Sequence, residues 1–225
     1  MVLVCAPVMD DRLLEVARAA KGFMPDDEGL TLYDAACRAG GVGPLLEVGT
    51  YCGKSAVYLG AAARHAGTVL FTVDHHRGSE ENQAGWEHHD REVVDPQTGR
   101  MDTLPFFRRT IQAAGLEDVV VGVVGFSAPI ARVWRTPLGF LFIDGGHAED
   151  VALADYTLWS PHVIAGGALA IHDVFEDPSA GGQAPFHVWQ RAVADGFEPM
   201  STTGSLRVLS APAPRERPGI QERDQ

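Results

Sequence analysis

Residues 45–60 read LLEVGTYCGKSAVYLG. An apolar run broken only by Glu47 enters a turn that carries Gly49 and Gly53, and the turn leads into small and apolar residues at helical spacing. Strand, glycine turn and helix in that order form the first unit of an α/β fold. Glycine at such a turn permits positive φ and lets a ligand approach the backbone closely. Ser55 is the expected N-cap of the helix. The spacing is GxxxG and lacks the middle glycine of the dinucleotide fingerprint GxGxxG. Gly53-Lys54-Ser55 ends the turn as a phosphate-binding loop does, but Gly49 stands one residue too close for that motif.

The same alternation continues on both sides of this unit. Short apolar runs at 69–73, 119–124, 139–143 and 168–174 predict further strands, and their continuous apolarity suits a parallel sheet buried on both faces. Amphipathic segments at 55–65, 103–114, 128–134, 150–160 and 186–194 predict the intervening helices, with two more near 11–21 and 30–39. Segments 197–201 and 205–209 around Thr203-Gly204 predict a closing hairpin. The expected fold is an α/β, doubly wound, Rossmann-like sandwich, with ligands at the carboxyl ends of the strands. Residues 1–210 are read as one domain with an N-terminal helical part, 1–44. The Pro- and charge-rich residues 211–225 are read as a disordered tail.

Composition narrows the function. The chain has 225 residues and a net charge of −12, which excludes a general grip on nucleic acid or an anionic membrane. Cys5, Cys37 and Cys52 form neither a disulfide framework nor a zinc site. The first nine residues lack the basic region of a signal peptide, and no apolar run approaches a membrane span, so the expected location is the cytoplasm.

The predicted strand ends collect the chemistry. Asp74 ends the second strand, 25 residues after Gly49, where a carboxylate can accept from the ribose hydroxyls of a nucleoside ligand. The fourth and fifth strands end in LFIDGGH and LAIHDVF, which place Asp144, His147, His172 and Asp173 at the ligand edge. Carboxylate and imidazole donors together suit several divalent cations. A histidine also titrates near neutrality, which suits His147 to general base work. The insert 75–101 holds four histidines, six acids and three arginines, and is read as a structureless lid or binding loop. Trp86 could stack on a sugar ring, and His88-His89 are assigned to the substrate side or the surface.

EVGTYCGKSAVYL resembles motif I of class I S-adenosylmethionine-dependent methyltransferases, and most of all the metal-dependent catechol O-methyltransferase group. The resemblance runs from about Leu45 to Leu209 and implies a seven-stranded, mostly parallel sheet with an antiparallel last strand. It implies that Glu47, Gly49, Thr50, Tyr51, Gly53 and Ser55 hold the methionine part of S-adenosyl-L-methionine. Asp74 would hold the ribose, and Gly125, Phe126 and Ser127 would line the adenine, with Asp144 also beside the cofactor. It places a divalent metal, Mg²⁺ in expectation, on Asp144, His172 and Asp173, although His and Asp here replace the group's Asp-Asn pair. His147 falls where the group carries its lysine base. DHHRGSEENQ, MDTLPFF, FIDGGH and IHDVF also resemble actinobacterial sugar O-methyltransferases that cap methylmannose polysaccharide. That resemblance implies a saccharide acceptor, such as the 1-OH of a 3-O-methylmannoside.

Phenolic or natural-product acceptors remain open, as do a nicotinamide-dependent oxidoreductase, a metal-dependent hydrolase and a non-catalytic nucleoside-binding protein. The N-terminal helices and the Trp-bearing C-terminal helix are the expected face of a homodimer.

Overall fold

The computed structural model describes residues 8–79 and 90–213. Two helices, α1 (Asp11–Ala19) and α2 (Asp26–Ala39), precede the sheet. Then β1 (Leu45–Val48), α3 (Lys54–Ala66), β2 (Leu70–Asp74), α4 (Leu104–Ala114), β3 (Val120–Val124), α5 (Ser127–Val133), β4 (Leu138–Ile143), α6 (Glu149–Trp159) and β5 (Val163–Ile171) alternate. α7 (Ala184–Ala194) leads into the hairpin β6 (Glu198–Thr203) and β7 (Leu206–Ser210). The seven strands lie in the order β3-β2-β1-β4-β5-β7-β6. The first five are parallel, and β7 runs antiparallel to both β5 and β6. This is the doubly wound, seven-stranded sheet that the sequence leads one to expect. Its strand order reverses between β1 and β4, where ligands of doubly wound sheets bind.

The period of two along each strand builds two cores. Leu45, Phe140, Phe142, Ala168 and Ala170 face α1–α4. Leu46, Leu141, Ile143, Leu169 and Ile171 face α5–α7. α1 and α2 contribute Leu13, Ala17, Leu32 and Ala36 to the first core.

Two element boundaries differ from expectation in ways that matter for the site. α2 begins at Asp26, not near residue 30. Asp26, Asp27 and Glu28 fill its first turn behind Pro25, and acidic side chains are favoured there by the helix dipole. The fifth strand ends at Ile171, three residues before expectation. Asp173 has φ +55°, a left-handed conformation that cannot continue a strand.

The insert is also not structureless where it is described. Arg91–Val93 form a 3-10 turn capped by Asp90, and Val94 bridges to Met101. Its ends are tied down by Lys21 to Asp90 at 2.8 Å, by Arg77 to the Met101 carbonyl at 3.1 Å, and by the Thr103 N–H to the His76 carbonyl at 3.2 Å. Trp86, His88, His89 and residues 214–225 lie outside the described residues. Among the described residues no helix is long and apolar enough to cross a membrane.

Candidate active site

The glycine turn after β1 is built from the backbone. Gly49 has φ +87°, and a Cβ there would lie 2.1 Å from the Asp144 carbonyl oxygen. Glycine therefore lets the ends of β1 and β4 close on each other, which brings Asp144 to the turn. Gly53, at φ +89°, occupies the N-cap position expected of Ser55. The Ser55 hydroxyl instead donates to Glu47 Oε1 at 2.5 Å, and the Thr50 hydroxyl donates to Oε2 at 2.7 Å. Glu47 follows Leu45 on the α3 side of β1 and is fully buried. Burial, with the nearby charges of Asp144 and Asp74, pushes its carboxyl up to about 8 against the pull of the two hydroxyls.

Asp74 ties β2 to the same turn. Its Oδ2 accepts from the backbone N–H groups of Thr50 and Tyr51, each at 2.9 Å, and its Oδ1 accepts from the His76 N–H at 2.7 Å. Among the described residues, the non-glycine residues with positive φ are Tyr51, His76 and Asp173. They follow β1, β2 and β5 at the carboxyl edge, so uncommon backbone conformations gather where a ligand would bind.

The residues expected at an adenine divide after β3. Gly125 donates its N–H to the Asp74 carbonyl at 3.0 Å. The Ser127 hydroxyl accepts from Trp159 Nε1 at 2.8 Å and so turns towards α6. Phe126 is exposed, and its ring lies 4.7 Å from that of His75. These two rings form the open aromatic surface beside Asp74.

The acidic centre lies across the turn, beyond β4 and β5. Ligand atoms of Asp144, His147 and Asp173 all fall within 4.8 Å of one another. His147 Nε2 is 3.1 Å from Asp173 Oδ2. Two carboxylates and an imidazole at this spacing fit a divalent cation. His172 stands outside that cluster. Its Nδ1 is 3.0 Å from Asp144 Oδ1 and its Nε2 is 2.6 Å from Glu28 Oε2. Both ring nitrogens thus lie within hydrogen-bond distance of carboxylates. Despite burial, Asp144, Asp173 and Glu28 hold the His172 imidazole well above its ordinary range. Burial also works against ionisation of Asp173, yet His147 and His172 keep its carboxyl below the usual carboxylate range.

Glu28 is the site residue that sequence reading missed. It is 4% exposed and also accepts from the Ser205 N–H at 2.7 Å. The acidic triplet at 26–28 lies ahead of the helix start expected near residue 30, and nothing local says that its third member turns inward.

The chain matches the methyltransferase domain family over residues 46–174, and it belongs to that family. It is a methyltransferase of Rossmann-like fold. Solved structures share the fold at low identity. The O-methyltransferase NovP is 15% identical, with TM-score 0.64 over 83% of this chain and 80% of that one. The O-methyltransferase TomG from Streptomyces achromogenes, solved with S-adenosylmethionine, is 17% identical, with TM-score 0.60 over 94% and 93%. An O-methyltransferase from Bacillus cereus, solved with S-adenosylhomocysteine, is 18% identical, with TM-score 0.57 over 93% and 94%.

Proposed function

We propose that the chain transfers a methyl group from S-adenosylmethionine to a saccharide hydroxyl, assisted by a divalent cation and by His147 as general base. The observation that carries this reading is the convergence of Asp144, His147 and Asp173 beside the glycine turn. The cofactor would supply an electrophilic methyl group, and the cation would polarise the acceptor hydroxyl.

The rest falls to the chain's own residues. The turn from Gly49 to Gly53 presents backbone to the cofactor, and Asp74, braced by Thr50 and Tyr51, fixes the shape of that turn. Asp144 and Asp173 would hold the cation, Mg²⁺ being the ion proposed. His147 is partly exposed at the cluster, so its imidazole is placed to take the hydroxyl proton as the oxygen attacks. Alignment of oxygen and methyl supplies the larger part of the acceleration.

The saccharide acceptor rests on the sequence resemblance and on the polar segment that follows Asp74. A natural-product acceptor is the second reading, favoured by the likeness to TomG, an enzyme involved in tomaymycin synthesis. Methyl transfer to a panel of 3-O-methylmannosides, other saccharides and phenols, with and without chelator, separates the two. Turnover of saccharides that chelator abolishes supports the proposal. Turnover of phenols alone overturns the acceptor, and full turnover in chelator overturns the cation.

A further inference from the structure

We infer that Glu28 is a positioning residue for the cation site, acting through His172, an inference that rests on the cation reading above. Glu28 comes from the first turn of α2, outside the span that matches the methyltransferase family. Its carboxylate is buried and reaches His172 Nε2 at 2.6 Å. The opposite nitrogen of the same ring reaches Asp144 Oδ1 at 3.0 Å and lies 3.4 Å from Asp173 Oδ2. One rigid imidazole therefore connects Glu28 to both carboxylates of the cluster. An outer hydrogen-bond partner of this kind fixes the orientation of the groups that hold an ion.

The surroundings of Glu28 are shaped to receive it. The Ser205 N–H donates to Oε1 at 2.7 Å, and the Ser205 hydroxyl lies 3.3 Å from both oxygens. Gly204 has φ +50°, and a Cβ there would stand 2.1 Å from Glu28 Oε1. The β6–β7 turn thus leaves open the space that the carboxylate fills. Several donors point at one buried carboxylate, and losing it would leave them without an acceptor. The connection also explains how histidine can stand at position 172. Held by Glu28, the ring faces the helix layer and leaves the open side of the cluster to Asp144, Asp173 and His147.

The test is Mn²⁺ binding by the full chain, read by calorimetry or electron paramagnetic resonance without any turnover. S-adenosylhomocysteine affinity and thermal melting are measured in parallel. Glu28→Gln removes the charge and cannot accept from both His172 and Ser205. Glu28→Asp keeps the charge but draws the carboxylate back by one methylene, and it serves as the second variant if the first fails to fold. Each is expected to weaken Mn²⁺ binding by about 10–100-fold, with S-adenosylhomocysteine affinity unchanged. In a His172→Gln background, Glu28→Gln is expected to cost little more, because the two act as one unit. Wild-type Mn²⁺ affinity in a folded variant, or additive losses in the double variant, overturns the inference and leaves the cation reading standing. If the wild-type chain itself fails to bind Mn²⁺, the cation reading falls and the inference falls with it.

Discussion

His147 Nε2 stands 3.1 Å from Asp173 Oδ2, so the proposed base and one proposed ion-holding carboxylate are in direct contact. This contact gives the imidazole two possible duties, proton acceptor or third ligand, and one variant separates them. His147→Ala should lower kcat by about 10²–10⁴-fold, the usual worth of a general base. Mn²⁺ affinity and S-adenosylhomocysteine affinity should change little. If Mn²⁺ affinity collapses along with kcat, the residue is a ligand and the base lies elsewhere.

Asp144 sits where the cluster, His172 and the glycine turn meet. Asp144→Asn keeps the shape but gives up the charge. Mn²⁺ affinity should fall by more than the roughly 10–100-fold expected for losing an outer partner. Activity should no longer respond to chelator because little remains to remove. Titration of the ion into variant and parent by calorimetry checks this, and an unchanged dissociation constant would remove Asp144 from the ion site.

Much of this geometry was legible in the sequence because it follows alternation along strands. Leu45, Phe142 and Ala170 face α1–α4 in the structure. Two residues further on stand Glu47, Asp144 and His172, which meet the α1–α4 side where those strands end. Continuous apolar runs and the glycine turn were equally plain, since they are local. What escaped was non-local or set by competition between partners. Ser55 reads as a cap, yet its hydroxyl is drawn to the buried Glu47, and Gly53 takes the cap position. The left-handed Asp173 ends β5 early, although the apolar run gives no sign of a stop. Glu28 and His172 are 144 residues apart in sequence, and no pattern within α2 reports that contact.

Glu47 gives the fold a pH signature. Its carboxyl is raised from an ordinary 4.5 to about 8, chiefly by burial. Between these values the native state keeps a proton that the unfolded state has lost. The stability tied to Glu47 is therefore complete below about pH 4.5 and is lost as pH rises through about 8. The slope is at most about 1.4 kcal/mol per pH unit for one proton. Glu47→Gln carries no such proton, so its urea midpoint should depend less on pH between 5 and 8 than that of the parent, both measured in chelator. Equal slopes would mean that Glu47 is ionised in the folded protein at neutral pH.

Gly49 joins the fold to the chemistry most directly, because its lack of a side chain brings β1 and β4 together at the switch point of the sheet. Gly49→Ala meets two separate obstacles. The backbone is at φ +87°, where a non-glycine residue costs of order 1–3 kcal/mol. The new Cβ would also lie 2.1 Å from the Asp144 carbonyl oxygen, so the β4 end must move. Strain of this kind adds typically about 1–3 kcal/mol. The variant should unfold at lower urea, and any folded fraction should bind both S-adenosylhomocysteine and Mn²⁺ more weakly, since the turn and Asp144 are displaced together. Gly67→Ala is the control. It has a similar positive φ of +68° with open space around the added methyl, so it should lose stability from backbone strain alone and keep both affinities. If Gly49→Ala also keeps both affinities, the close approach of β1 and β4 serves stability and not the site.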